Sequence, residues 1–319
     1  MNLLILGLSN LVTRRVLPAL NGFQDLARID IATRTKGSEW ARLPGIAGDL
    51  YDDYARALAA SPADVVYVSL VNAEHGRWAE AAIALGKHVV VDKPAFLGLR
   101  QAERAVELAH QHGACLAEAT VFAYHPQVAM ARRMFHDAGC QPLRIAATFS
   151  FPPLDSRNFR YRRSLGGGAL WDLGPYAVSV GRVFFGSQPQ ALHAQVTSRG
   201  GAEDVETGFS MLACYPGEKS VVGHFGFDTA YRNRVDILGA TVGVEVDRIF
   251  TIAPDAPNTI RVTRQAETAA VEVPPADPFA LFFQCVFERI AAGTWEPLME
   301  DLLADARALE QLRAAAIPG

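Results

Sequence analysis

The sequence predicts an α/β chain: a doubly wound parallel sheet in the first third, then an α+β domain built on a largely antiparallel open sheet. Three observations carry this. Short, wholly apolar runs alternate with helical segments as far as about residue 120. Beyond that point strand-like runs follow one another with turn residues between most of them. At 319 residues, half of them hydrophobic, the chain is long enough for two cores. Parallel neighbours need crossover connections, whereas consecutive strands favour antiparallel pairing.

Leu3–Leu6 is a continuous apolar run ending at Gly7, as a central parallel strand entering a tight turn should be. Val12 to Leu20 has helical spacing, with Pro18 marking a kink or a break. Ile29–Thr33 reads as the second strand, Tyr51–Ala60 as a helix and Asp64–Leu70 as a buried strand. Arg77–Leu85 is a helix stopped by Gly86, His88–Val91 another buried strand, Leu99–Gln111 an amphipathic helix and Cys115–Glu118 a further strand. This alternation is that of a Rossmann domain spanning residues 1–120. In residues 121–319 the strand-like runs are Arg144–Phe151, Ala191–Ser198, Gly208–Cys214, Ser220–Phe227, Arg234–Leu238, Val242–Val246 and Thr259–Arg264. Helices over Gln127–His136, Pro175–Phe185 and Phe279–Ala292 are expected to cover one face of that sheet, and Glu296–Ala315 to close the chain.

A net charge of −4 argues against nucleic acid or an anionic membrane as the main partner. The four cysteines (Cys115, Cys140, Cys214, Cys285) lie far apart without metal-ligand spacing, so no disulfide framework and no metal is expected. The opening MNLLILGLSN lacks a basic leader and a cleavage pattern, and no run approaches the roughly 18 apolar residues a bilayer span needs. A soluble, cytoplasmic protein is the expectation.

Gly7, Ser9, Asn10 and Leu11 sit between the first strand and first helix, where a dinucleotide-binding turn belongs. Of the three glycines such a turn favours only Gly7 is present; Ser9 can offer a hydroxyl to phosphate, and Val12 stands where a helix-packing glycine would. A plain structural turn accounts for Gly7 equally well. At the end of the second strand stand Thr33, Arg34, Thr35 and Lys36, with no carboxylate. Cations and hydroxyls there suit a ribose 2′-phosphate and favour NADP, while an Arg34 stacked on adenine would leave NAD open. Asp30 is expected mid-strand and facing solvent.

Lys93 follows the buried strand His88–Val91, at the carboxyl end where open parallel sheets bind ligands. A lysine there can hold a substrate hydroxyl and ease its deprotonation, although a surface lysine after a strand is as common. The triplet Gly166–Gly168 lets backbone approach a ligand closely. If the chain is helical from Ala169 onward, Asp172 and Tyr176 share one face, i to i+4, as a carboxylate beside a phenol suited to acid–base work. On spacing alone, an acid near a helix start and a packed aromatic explain the pair as well.

Together these phrases resemble a family. Asp92-Lys93-Pro94, with Asn72 and His75 upstream, resembles the N-x-x-H … E-K-P pattern of the Gfo/Idh/MocA oxidoreductases (glucose–fructose oxidoreductase, inositol dehydrogenase). Glu118 to Gln127, including His125 and Pro126, resembles the E-A-F-M-Y-R-x-H-P-Q junction of its dihydrodiol and xylose dehydrogenase branch. Phe159-Arg160 followed by Gly166 to Tyr176 is similar to the F-R … G-G-G-x-L-x-D-x-G-x-Y of the same branch, and Gly239 to Gly243 to its G-T-x-G turn. The likeness runs from the first strand to about residue 293. It implies Lys93 and Tyr176 as the catalytic pair, Asp172 as a substrate-positioning carboxylate, and Leu70, Asn72, His75, Asp92 and Lys93 itself on the nicotinamide side. His125 is expected at the substrate. The second domain would bind substrate and carry the contacts of a homodimer or homotetramer. Asp92 departs from the family's glutamate, Ala123 from its arginine, and Ser9 and Val12 from its glycines.

The resemblance implies hydride transfer between a nicotinamide and a sugar ring hydroxyl or ketone, often at C3. Four arginines, Arg157, Arg160, Arg162 and Arg163, precede the glycine triplet. Their forks suit phosphate or carboxylate, which makes Arg160 and Arg162 candidate substrate ligands and a nucleotide sugar, such as a UDP-N-acetylhexosamine, the candidate substrate. A solvated basic loop is the plainer account. A free-sugar or dihydrodiol-type dehydrogenase, or a non-catalytic NAD(P)-binding sensor, are the competing functions; a sensor would be expected to lose Lys93 or the Asp172/Tyr176 pair.

Overall fold

The computed structural model describes residues 1–23, 25–34 and 48–317, which form two compact units. The first unit comprises Met1–Ala119 with Phe282–Leu303, and the second Thr120–Leu281 with the chain from Ala304 onward.

The first unit holds strands β1 (Asn2–Leu6), β2 (Arg28–Ala32), β3 (Leu50–Tyr51), β4 (Val65–Val68), β5 (His88–Val91) and β6 (Leu116–Glu118). They lie in the order β3-β2-β1-β4-β5-β6, and every pairing is parallel. Leu3–Leu6 and Val65–Val68 are completely buried, which explains why they are apolar without alternation. Strand order reverses between β1 and β4, so the crevice beyond their carboxyl ends is where a ligand belongs.

The stretch after β1 opens as a π-turn over Val12–Val16 and continues as the short helix α1 (Leu17–Leu20). Pro18 cannot donate to the carbonyl four residues back. The wider turn, in which Leu17 N–H reaches the Val12 carbonyl, accommodates the break. Helix α2 (Tyr54–Ala60) starts later than the predicted Tyr51, because the Asp53 carboxylate accepts from Arg56 N–H and caps it. Helix α3 (Asn72–Ile83) starts more than a turn before the predicted Arg77, which brings Asn72 and His75 onto its first turns. Helix α4 (Leu99–His112) ends on left-handed Gly113.

The second unit is an eight-stranded sheet made of β7 (Arg144–Ser150), β8 (Ala191–Gly200), β9 (Val205–Tyr215), β10 (Lys219–Gly226), β11 (Arg232–Leu238), β12 (Val242–Asp247), β13 (Asn258–Arg264) and β14 (Glu267–Val273). The order is β14-β13-β12-β11-β7-β10-β9-β8, antiparallel except where β7 and β10 run parallel. Sequence reasoning missed β14. It is an edge strand whose residues are mostly exposed, so its sequence carries no apolar alternation. Helices α5 (Pro126–Asp137), α6 (Ala169–Asp172) and α7 (Gly174–Phe185) contribute Val128, Phe135, Leu170 and Val178 to the core against Phe209, Phe225 and Val235 of the strands.

The helix α8 (Pro278–Ala292) departs from expectation. The sequence places it on the cover of the second sheet, but from Phe282 it belongs to the first unit, as does the start of α9 (Glu296–Ala316). Phe283 meets the Tyr67 ring at 5.4 Å, Phe287 meets Phe23 at 5.5 Å, and Trp295 meets His88 at 5.2 Å. Apolar periodicity announces that a helix has a buried face but not which core receives it. The boundary expected near residue 120 therefore omits a return of the chain to the first core. The later part of α9 supplies Ala308, Leu309 and Leu312 to the second core instead.

Arg182 on α7 grips Asp305 on α9 through two hydrogen bonds of 2.8 and 2.6 Å, with both side chains largely buried. Truncating one partner strands the other charge. Asp305→Ala should therefore lose about 3 kcal/mol of stability in urea unfolding. A paired Arg182→Met/Asp305→Leu variant should recover most of that loss.

Candidate active site

In the first unit Gly7 leaves β1 at φ +98°, and a Cβ there would lie 2.2 Å from the Ser69 carbonyl oxygen. The turn thus needs glycine for both backbone and space. Ser9 Oγ accepts from Val12 N–H at 3.1 Å and lies 2.9 Å from Ser69 Oγ, while Asn10 and Leu11 are exposed at the helix start. Ser9 therefore caps the helix, a role sequence reasoning did not foresee for it. The tight glycine turn, with two exposed residues opening a helix, fits a dinucleotide pyrophosphate.

At the end of β2, Thr33 is buried and Arg34 exposed. The Arg34 guanidinium lies over the Tyr54 ring at 4.5 Å and 5.9 Å from that of Trp78, which fixes a cation by stacking. Thr35 and Lys36 lie outside the described residues. Asp30 is a correction: it is buried and accepts from Ser61 Oγ at 2.6 Å, Arg28 Nε at 2.8 Å and Asp49 N at 2.7 Å. A polar side chain on a strand is expected to face solvent, but here it ties three segments together.

Beyond β4 come Ser69, the partly buried Leu70 and, opening α3, the buried Asn72. His75 is also buried, with Nδ1 2.8 Å from the Pro94 carbonyl and Nε2 3.1 Å from that of Leu70. Burial lowers its pKa despite the neighbouring Asp92 charge, so the ring is held neutral and donates to one carbonyl. The ring thereby clamps the segment that carries Lys93. The Lys93–Pro94 peptide is cis. Asp92 accepts hydrogen bonds from Tyr67 OH and, at 2.6 Å, from Ser69 Oγ. Burial raises its pKa, and the two hydroxyls, His75 and Lys93 oppose the rise.

In the second unit Asp172 ends α6 and Tyr176 lies in the first turn of α7, with Leu173 between the helices at φ −111°. The continuous helix assumed for this pair is broken there. Asp172 is buried and takes a two-pronged ion pair from Arg160, Nε to Oδ2 at 2.7 Å and Nη2 to Oδ1 at 3.0 Å. Burial pulls the Arg160 pKa down, but the Asp172 charge and hydrogen bonds outweigh it and the net shift is upward; Tyr176 adds to that rise. Tyr176 is half-buried among aromatic rings, 5.2 Å from Phe149 and 5.3 Å from Phe250. Gly168, at φ +108°, passes so close to Glu206 that a Cβ would stand 2.5 Å from its carboxylate.

The expected arginine cluster is largely committed internally. Arg160 holds Asp172, Arg157 pairs with Asp155, and Arg163 bonds the Glu203 carbonyl at 2.9 Å. Arg162 is exposed. His125 caps a helix. It is buried, and its Nδ1 accepts from Gln127 N–H at 3.3 Å as the N-cap of α5. Sequence reasoning missed Tyr67, Ser69, Tyr54 and Phe250. The signal for the first two was legible: polar groups two apart at the end of an otherwise apolar strand. Among the described residues no group of His, Cys, Asp and Glu could hold a metal, and no helix is long and apolar enough to cross a membrane.

The unfolded chain takes up a proton on His75 near pH 6.5, whereas the folded chain resists it to lower pH. Stability from this group is complete above that pH and is lost as pH falls toward the depressed folded value. Thermal unfolding of wild type should weaken between pH 7.5 and 5.5 (chosen to span about 6.5), and His75→Gln should flatten that slope.

Residues 1–120 match the family described as "Oxidoreductase family, NAD-binding Rossmann fold", and residues 138–245 match "GFO/IDH/MocA C-terminal domain". The chain is 27% identical over 317 residues to the dTDP-3,4-didehydro-2,6-dideoxy-alpha-D-glucose 3-reductase of Actinomadura kijaniata, covering 98% of this chain and 94% of that one. It is 26% identical over 281 residues to D-xylose 1-dehydrogenase (NADP(+)) 2 of Haloferax volcanii, covering 86% and 84%. A solved 3-ketoreductase from Actinomadura kijaniata, in complex with NADP and TDP-benzene, superimposes with a TM-score of 0.93 at 27% identity, covering 99% of this chain and 98% of that one. With its Rossmann half and its C-terminal half each matched, the chain belongs to the GFO/IDH/MocA family and is an NAD(P)-dependent oxidoreductase.

Proposed function

We propose that this oxidoreductase reduces a ketone at C3 of a nucleotide-linked sugar, with NADP as the preferred cofactor. The observation that supports this most is a likeness to a dTDP-sugar 3-reductase that spans 98% of the chain and 94% of that enzyme. The Gly7–Leu11 turn would hold the pyrophosphate of the reduced cofactor, which when bound would supply the hydride for the ketone carbon. Arg34, immobilised on Tyr54, is the cation for the 2′-phosphate, with Thr33 preceding it at the end of β2. Leu70 and Asn72 line the nicotinamide half.

Lys93 donates a hydrogen bond to the substrate oxygen and stabilises its developing negative charge. Tyr176 delivers the proton that completes the hydroxyl. Asp172 accepts from a neighbouring sugar hydroxyl while Arg160 keeps it ionised and fixed. The same ketoreductase has also been crystallised with a lysine replaced and with a tyrosine replaced, the residue types given these roles here. The exposed Arg162 is the fork for the diphosphate. The cytoplasm suits the four free cysteines, and the open face of the eight-stranded sheet suits a homodimer or homotetramer.

One observation favours a second substrate class. Three of the four loop arginines are engaged by protein groups, which suits an uncharged free sugar, and the likeness to a xylose dehydrogenase supports it. Turnover followed at 340 nm with a dTDP-linked 3-ketosugar, UDP-N-acetylglucosamine and D-xylose, each with NADP(H) and NAD(H), decides between them. Turnover confined to free sugars would overturn the nucleotide-sugar assignment. Arg162→Ala should raise KM for a nucleotide sugar about tenfold and leave kcat unchanged.

Lys93→Met and Tyr176→Phe should each lower kcat by about 10² or more without changing cofactor affinity. Normal turnover in either variant would remove that residue from the chemistry.

A further inference from the structure

Three neighbouring strands of the first unit end in polar groups that bond one another side to side. Ser9 follows β1, Ser69 follows β4 and Asp92 follows β5, and these strands are adjacent in the sheet. Val12 N–H reaches Ser9 Oγ at 3.1 Å, Ser9 Oγ lies 2.9 Å from Ser69 Oγ, and Ser69 Oγ lies 2.6 Å from Asp92 Oδ2. Tyr67 OH closes the row on Asp92 Oδ1.

The direction of every bond follows from the carboxylate, which can only accept. Ser69 therefore donates to Asp92. Having given up its one proton, it must accept from Ser9. The Ser9 hydroxyl proton accordingly points inward, and its lone pair is left to hold Val12 N–H. Both Asp92 oxygens are taken by neighbouring hydroxyls.

We propose that Asp92 is a positioning residue for the cofactor turn, acting through Ser69 and Ser9 to fix the start of the first helix, and is not a direct ligand of the nicotinamide ribose. The role rests on the Gly7–Leu11 turn being the pyrophosphate site. It follows that Ser9 gives no hydroxyl to phosphate, and that the turn grips it through backbone N–H groups whose orientation the row maintains. Only one glycine of the usual turn is present, and the serine row supplies by hydrogen bonding the rigidity that close glycine packing supplies elsewhere.

The test separates the two halves of the cofactor. Calorimetry on the full chain measures binding of NADP and of 2′-phosphoadenosine 5′-diphosphate, the half that stops at the pyrophosphate. Ser69→Ala and Asp92→Asn should each weaken both ligands by the same factor, about tenfold. The double variant should be no weaker than the worse single one, because both break a single row. If the variants weaken NADP but leave the fragment unchanged, Asp92 acts directly on the nicotinamide half and the proposal fails. It fails equally if neither ligand is affected. Wild type that binds neither ligand would remove the cofactor turn itself, an outcome distinct from both. Should Asp92→Asn not fold, Ser69→Ala and Tyr67→Phe carry the same comparison.

Discussion

The closeness of the β1 and β4 ends constrains everything built above the first sheet. Gly7 passes the Ser69 carbonyl at a separation no Cβ tolerates. That approach brings the turn after β1 within hydrogen-bonding range of the residues after β4, and through them of those after β5. Because the three strands are parallel and buried on both faces, their ends cannot shift singly. The helix start, the His75 clamp on Pro94 and the Lys93 backbone are all referred to that one close contact.

The second unit solves a different problem, that of keeping an ionised carboxylate in a buried position. Asp172 is buried, where an unpaired charge would be neutralised. Arg160 meets it with two parallel hydrogen bonds, and the Phe159 ring lies 5.0 Å from the same guanidinium. The glycine triplet allows the loop bearing Arg160 to fold back over α6, since Gly168 N–H bonds the Arg160 carbonyl at 2.8 Å. Loop, glycines and carboxylate therefore make one local structure.

Much of the fold was legible because burial on two faces or on one writes its own period. Leu3–Leu6, Val65–Val68 and His88–Val91 read as central strands, and β7 to β13 as half-buried ones. What could not be read was whatever depends on a distant partner. The β14 edge has no face to bury, the destination of Phe283 and Phe287 depends on a core laid down more than two hundred residues earlier, and Asp30 gives no hint that Ser61 and Arg28 enclose it. The site followed the same rule. Lys93 and Tyr176 are candidates because of the phrases that contain them. The fate of Arg160 is not legible, because an arginine that serves a substrate and one that serves a neighbouring aspartate look alike in one dimension. The capping role of His125 is hidden for a similar reason: histidine as a helix cap has no signature distinct from histidine as a ligand.

The return of residues 282–303 to the first unit also bears on the order in which the protein can be made. A ribosome releases the strands of the parallel sheet early, yet the rings of Phe283, Phe287 and Trp295 that cover Tyr67, Phe23 and His88 emerge only near the end of synthesis. Until then that side of the nascent sheet is bare apolar surface, of the kind chaperones recognise. The second unit, encoded between the two pieces, is complete only when the rest of α9 follows. The two units thus finish folding together, and a fragment cut at the apparent domain boundary carries an open core.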